Sequence, residues 1–255
     1  MNPLIVIPAR LAATRLPDKP LADIHGAPMI VHVWRRAVEA GIGPVVVACG
    51  DAPILAAVEA AGGRGVLTDP NHPSGSDRVW EAVLTIDPDA RHDVIVNLQG
   101  DVPTLEGRCI ARTLEPLRRN ASADIATLVC AIGDPAEQAR TSVTKAVVAW
   151  EADGAIGTCL YFSRAVVPWG PGPILHHIGL YAYRRDALER FVALPPSPLE
   201  QRERLEQLRA LEAGLRIDAA LVDTIPLGVD TPDDLEQARR LLAPHSPIEP
   251  GPARP

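Results

Sequence analysis

Short apolar runs at residues 4–7, 45–48 and 94–98 recur between segments of helical spacing, and that alternation leaves the chain few architectures. Runs of four or five residues rich in valine and isoleucine have the length and branching of buried strands. Between the first two, Met29, Val33, Ala37 and Ala40 share one helical face, with Pro28 at the first turn and Gly41 at the stop. Residues 53–61 read as a second helix ending at Gly62-Gly63, residues 65–67 as a short strand, and residues 76–86 as a third helix. Strands alternating with helices at this spacing predict a three-layer α/β fold around a mainly parallel sheet.

The second half is less regular. Strand-like runs at 125–132, 144–150, 158–162, 178–183 and 217–222 have fewer helices between them, at 185–192 and 199–213. A last helix at 231–242 is signposted by Thr231 as N-cap, Pro232, and Asp233 and Asp234 in its first turn. This pattern predicts one domain over 1–243, with a small antiparallel β subdomain at about 125–215. The tail, 244–255, has five prolines in twelve residues and is expected to be disordered.

Composition excludes several function classes. A net charge of −7 argues against a nucleic-acid partner, which usually meets a basic face. No apolar run approaches the roughly 18 residues that span a bilayer, so membrane insertion is not expected. The start MNPLIVIPAR lacks the basic segment of a signal peptide, and Cys49, Cys109, Cys130 and Cys159 lie far apart with no metal-binding spacing. Both features predict a cytoplasmic protein with reduced thiols.

Against that acidic background, residues 9–19 are locally basic: Arg10, Arg15 and Lys19 stand against one acid, Asp18. The loop follows the first strand, where open α/β sheets bind ligands. It contains no glycine, so it is neither a P-loop nor a GxGxxG turn, and phosphates would be gripped by side chains. A solvated basic turn is the plain alternative. Only Lys19 and Lys145 are lysine among 25 basic residues. A compact ammonium differs from the planar guanidinium fork, which gives Lys19 in this loop added weight.

Asp101 follows a buried strand on the expected side of the sheet, and Asp230 lies between an apolar segment and a helix N-cap. Each alone could be a hydrogen-bonded turn aspartate. Opposite a basic loop, the pair suggests a Mg²⁺ site, since that ion binds through one or two carboxylates plus substrate phosphates. Metal-assisted phosphoryl or nucleotidyl transfer is the chemistry such a set serves.

Seven segments then carry a resemblance: ARLAATRLPDKPL (9–21), PSGSDR (73–78), NLQGDVP (97–103), YFSR (161–164), HHIGLYAYR (176–184), PSPLEQRERLEQLR (196–209) and GVDTPDDLE (228–236). In order and spacing, over residues 4–242, the chain resembles the 3-deoxy-manno-octulosonate cytidylyltransferases. That resemblance implies a nucleotide-diphospho-sugar transferase-like fold, a homodimer, and coupling of CTP to the sugar acid Kdo for lipopolysaccharide synthesis. It implies that Arg10, Arg15 and Lys19 hold the triphosphate. Pro8, Ala9, Ser74, Gly75 and Arg78 would surround cytosine and ribose, and Asp101 and Asp230 would hold Mg²⁺. Arg10, Lys19 and Asp101 would be the catalytic groups. Gln99, Arg164, His177, Tyr181, Glu206 and Gln207 would form the sugar-acid pocket, with Arg164 opposite the carboxylate.

The chain departs from the family pattern at Val102, where an acid usually follows the metal aspartate, and at His176, where arginine is common. The 170–174 loop is short, and residues 140–145 (RTSVTK) match poorly. Other readings are transfer to 8-amino-Kdo or another sugar acid, a glycosyltransferase, and a non-catalytic nucleotide-binding module. The glycosyltransferase reading lacks its usual Asp-x-Asp pair, since Asp101-Val102-Pro103 is not one.

Overall fold

The computed structural model describes residues 1–12 and 16–243; the expectations for Arg15 and for the tail lie outside them. The first strand, β1 (Pro3–Ala9), is buried at every position, which its unbroken apolar sequence requires of a strand covered on both faces. A two-strand ribbon, β2 (Asp23–Ile24) and β3 (Ala27–Pro28), leads into α1 (Met29–Glu39). Gly41 ends that helix at φ 63°, a left-handed conformation glycine takes without strain. There follow β4 (Val45–Cys49), α2 (Ala52–Ala60), β5 (Arg64–Leu67), α3 (Gly75–Ile86) and β6 (Val94–Leu98). Strands β5, β4, β1 and β6 lie side by side and parallel, as the strand–helix spacing predicts.

Beyond β6 the chain forms α4 (Gly107–Arg112), α5 (Glu115–Arg119), β7 (Ile125–Ala131), α6 (Pro135–Ala139), β8 (Lys145–Trp150), β9 (Ile156–Ser163) and β10 (Leu175–Arg184). It closes with α7 (Arg185–Ala193), α8 (Pro198–Glu203), α9 (Gln207–Glu212), β11 (Ile217–Val222) and α10 (Pro232–Leu241). Here the expectation of a mainly parallel sheet needs correcting. All of β7–β11 join the same nine-stranded sheet, in the order β5-β4-β1-β6-β10-β7-β11-β9-β8, and that sheet is mixed. Strand β10 runs antiparallel to both β6 and β7, while β9 is antiparallel to β8 and β11. Antiparallel neighbours need no helical crossover, which is why helices thin out in this half.

Helices cover both faces of the sheet. Ile30, Val33, Ile54, Val58 and Ile110 pack with Ile5, Ile7 and Val96 on one side. Val79, Val83, Leu188, Phe191 and Leu208 pack with Leu4, Val6 and Ile95 on the other. Among the described residues no helix is long and apolar enough to cross a membrane.

The helix expected over 199–213 is two helices. Arg204 adopts φ 56°, ψ 47°, which breaks the run between α8 and α9. The register of β10 against β7 also shifts between Ile178 and Tyr181, around Gly179. Irregularities of this kind re-aim side chains beside functional sites.

Candidate active site

Because β1, β4 and β6 are parallel, their carboxyl ends meet on one edge of the sheet. Register Val6↔Asn97 brings Pro8 and Ala9 beside Gln99 and Gly100. The approach is close: a Cβ on Gly100 would stand 2.8 Å from the Pro8 carbonyl oxygen, so no larger residue fits there unless the backbone moves. This edge opens into a cavity of about 460 Å³. Seven residues expected to bind nucleotide that the structure describes, Pro8, Ala9, Arg10, Lys19, Ser74, Gly75 and Arg78, all line it. Gln99, Asp101 and Asp230 line it as well.

Lys19 stands at the centre of the charged groups. A single turn of 3-10 helix (Lys19–Leu21), entered through a left-handed Asp18, returns the loop toward the sheet edge. The Lys19 ammonium donates to Asp101 Oδ2 at 2.8 Å and to Asp230 Oδ1 at 3.0 Å. Burial would lower the Lys19 pKa, but the charges and hydrogen bonds of Asp101 and Asp230 outweigh it and raise the value above that of an ordinary lysine. Asp230 is delivered from across the chain. Val229 N–H donates to the Asp101 carbonyl at 2.8 Å, and Thr231 caps α10 reciprocally with Asp234.

The cation wall continues into Arg78. Its Nη1 donates to Thr68 Oγ1 at 2.6 Å and its Nη2 to the Pro70 carbonyl at 3.3 Å. Burial lowers the Arg78 pKa, and the charge of Arg10 lowers it further. Two guanidinium groups held together in this way are disposed to receive an anion.

Asp101 and Asp230 have the donor chemistry that fits Mg²⁺. A cation, the Lys19 ammonium, already bridges their oxygens. Among the described residues no cluster of three or more His, Cys, Asp or Glu could hold a metal unaided. Two hard carboxylates facing an open cavity suit an ion whose remaining ligands are phosphate oxygens and water.

The residues expected to bind the sugar acid are more dispersed. Only Gln99 lines the cavity. A polar chain runs inward from it: Gln99 Nε2 to Asn97 Oδ1 at 3.0 Å, Asn97 Nδ2 to Ser76 Oγ at 3.5 Å, and Ser76 Oγ to Glu206 Oε2 at 3.0 Å. Burial pushes the Glu206 carboxyl above the usual carboxylate value, although the Ser74 and Ser76 hydroxyls oppose that shift. Glu206 Oε1 and Gln207 Nε2 are buried with no hydrogen-bond partner, one an acceptor and one a donor. Neighbouring His177 is buried, with Nε2 3.0 Å from Thr127 Oγ1 and its ring against Phe162 and Tyr181 at 4.8 and 5.4 Å. Burial lowers its pKa to about 3, which keeps the imidazole neutral. Burial likewise raises the Tyr181 phenol well above its ordinary value.

Arg164 lies apart from this group. Its Nε, Nη1 and Nη2 donate to the carbonyls of Glu203, Thr141 and Arg204 at 2.7, 3.0 and 3.2 Å. Three of the five N–H groups of its fork are thus engaged by main chain.

Sequence reasoning did not single out Ser76, Asn97 or Asp51. Asp51 Oδ2 accepts the Leu11 N–H at 2.8 Å and so pins the start of the basic loop. Asn97 had a signal, since it is the one polar residue in the buried run Val94–Leu98.

Comparison with known proteins places this geometry. A family model described as cytidylyltransferase matches residues 4–217. The 3-deoxy-manno-octulosonate cytidylyltransferase of Rhodospirillum centenum is 64% identical over 249 residues, covering 98% of this chain and 96% of the relative. That of a Methylobacterium species is 65% identical over 243 residues, covering 95% and 97%. The chain belongs to the 3-deoxy-manno-octulosonate cytidylyltransferase family. A solved structure of CMP:2-keto-3-deoxy-manno-octonic acid synthetase complexed with CTP superposes on it with a TM-score of 0.87, at 41% identity, covering 95% of this chain and 99% of the other. A nucleotidyl transferase from Methanothermobacter shares the fold at a TM-score of 0.57 and 17% identity, covering 94% and 96%.

Proposed function

We propose that this enzyme transfers CMP from CTP to the anomeric hydroxyl of Kdo, giving CMP-Kdo and pyrophosphate for lipopolysaccharide synthesis. The observation that carries the reading is the Asp101–Lys19–Asp230 bridge, set in a cavity that Arg10 and Arg78 also line. The cations grip a triphosphate, and the carboxylates beside Lys19 meet the reacting centre.

The triphosphate binds against Arg10 and Lys19, and a phosphate between the guanidinium groups of Arg10 and Arg78 relieves their mutual repulsion. Ser74 and Gly75, at the start of α3, place the nucleoside beside Pro8 and Ala9. Asp101 and Asp230 would hold Mg²⁺, which when bound neutralises phosphate charge and makes the sugar hydroxyl more acidic. Glu206 Oε1 and Gln207 Nε2 supply a free acceptor and donor for sugar hydroxyls, with Gln99, His177 and Tyr181 completing that side. The uncharged His177 positions by hydrogen bonding and shape, not by charge. The two N–H groups of Arg164 not given to carbonyls are left for the sugar carboxylate. The hydroxyl oxygen then attacks the α-phosphorus in line while its proton passes to solvent in the open cavity, the bond to the β-phosphate breaks, and pyrophosphate leaves toward Arg10 and Lys19.

We take residues 1–243 as one domain because its first and second halves share one sheet. A cytoplasmic location is supported by four buried free cysteines. A homodimer is supported by the exposed apolar groups Leu160, Val166 and Trp169, the last 99% exposed. Offering the enzyme CTP with an equal mixture of Kdo and 8-amino-Kdo, and weighing the conjugates by mass spectrometry, tests the substrate. The reading requires CMP-Kdo to dominate; exclusive CMP-8-amino-Kdo would overturn it.

A further inference from the structure

Lys145 is a charged side chain with no exposure at all. Among the described residues no carboxylate hydrogen-bonds to it. Its ammonium donates to three main-chain carbonyls, those of Arg140 at 2.8 Å, Val143 at 2.7 Å and Arg164 at 2.7 Å. An ammonium has three donors, so every one is used. Burial lowers the Lys145 pKa, the charge of Arg164 adds to the effect, and Glu203 opposes it. Enclosing a charge with neutral acceptors alone is costly, and a chain that merely needed to fill this space could have used an apolar residue.

What the three carbonyls belong to gives the cost a purpose. Lys145 opens β8, opposite Ser163 of β9 and His176 of β10, where the three strands converge. It ties the 140–143 segment to the main chain of Arg164. Arg164 in turn donates its N–H to Glu203 Oε2 at 2.9 Å and its guanidinium to the carbonyls of Thr141, Glu203 and Arg204. Ser163 Oγ donates to Glu203 Oε1 at 2.8 Å. The far end of this clamp is the left-handed bend at Arg204, two residues before Glu206 and three before Gln207. Within the two helices the bend is held by the Arg204 and Leu205 N–H groups donating to the Glu200 carbonyl and by Arg209 pairing with the Glu200 carboxylate. Arg204 is not a glycine, so its positive φ carries a strain that the clamp's further bonds help to offset.

We propose that Lys145 is a positioning residue for the sugar-acid subsite: through Arg164 and Glu203 it holds the Arg204 bend, and the bend aims Glu206 and Gln207. The proposal rests on the reading of those two residues as sugar ligands. The phosphate-side cations are separate from it, because the hydrogen bonds of Lys19 and Arg78 go to Asp101, Asp230, Thr68 and Pro70 and none reaches the clamp. Glu206 meets the nucleotide side through Ser74 and Ser76.

The test is steady-state kinetics on Lys145→Met, which keeps the length and removes all three donors, with Glu203→Gln as a milder companion. In each folded variant the KM for Kdo rises about tenfold or more while the KM for CTP stays within about twofold, the signature of lost ground-state binding confined to one substrate. Equal changes for both substrates, or none, overturn the proposal. If thermal melting shows that Lys145→Met is unfolded, Glu203→Gln decides on the same criterion. Amide hydrogen exchange over residues 203–208 reads the clamp with no sugar present. Faster exchange there, with β1 and β6 unchanged, is required whatever the true sugar proves to be, so a failure of the Kdo assignment is told apart from a failure of the clamp.

Discussion

Lys19 holds two aspartates that arrive from distant parts of the chain, so its replacement affects more than a phosphate contact. Lys19→Ala leaves Asp101 and Asp230 facing each other across a partly buried gap, and the loss is expected to be about 2–5 kcal/mol in CTP use. Lys19→Arg should not restore it, because a planar fork cannot occupy the point between two oxygens 2.8 and 3.0 Å from one ammonium. Titration calorimetry with CTP checks both variants; normal affinity in Lys19→Ala removes the residue from the anion site. Asp101→Asn and Asp230→Asn are each expected to lose several kcal/mol of transition-state stabilisation in Mg²⁺-dependent turnover, as for a lost metal ligand. Wild-type rates in either variant take that aspartate out of the metal site. At this scale the nucleotide side was legible in the sequence because Arg10 and Lys19 sit in one short loop. The chain from Gln99 through Asn97 and Ser76 to Glu206 was not, since three distant segments supply it and it exists only in space.

Elements position these groups through their ends. Gly50 follows β4, and a Cβ there would lie 2.8 Å from Arg78 Nη1 and 3.2 Å from Arg10 Cβ. Gly50→Ala should therefore push the two cations apart and weaken CTP binding by roughly 1–3 kcal/mol, an overpacking cost, while Kdo affinity changes little. Comparing the two affinities in the variant checks this; an equal loss for both ligands contradicts it. At the other end of α3, Asp87 is 4% exposed and joins that helix to the N–H groups of Arg91 and His92 and to Arg185 of α7. Burial would raise its pKa, yet these donors overcome it and hold the carboxyl at about 2, below the ordinary 3.8. A depressed carboxylate stabilises the fold above its unfolded pKa and loses that contribution as pH falls through its folded value. The loss is on the order of 2 kcal/mol between pH 5 and pH 2. Urea midpoints for wild type and Asp87→Asn should converge across that window; a constant gap contradicts it. Short apolar runs such as residues 4–7 announced their strands, and Thr231 announced α10. The break at Arg204 did not show, because a left-handed arginine carries none of the signal a glycine would.

For the whole molecule, the parallel half was readable because helix crossovers leave a long, regular spacing between buried strands. The other half was not, because antiparallel partners are chosen by pairing over distance: β10 inserts between β6 and β7, which precede it in the chain by dozens of residues. The consequence is functional. One mixed sheet carries both the cation wall at its strand ends and, through β10, His177 and Tyr181. The proposed sugar ligands and the nucleotide side are thereby referred to a single frame, which is what in-line transfer without a covalent intermediate requires. The central claim is that the enzyme joins the two, and pyrophosphate release from CTP, followed with and without Kdo in the presence of Mg²⁺, tests it most directly. The account predicts release that depends on Kdo and matches CMP-Kdo one for one. Pyrophosphate appearing at the same rate without Kdo, or none appearing with it, would contradict the account.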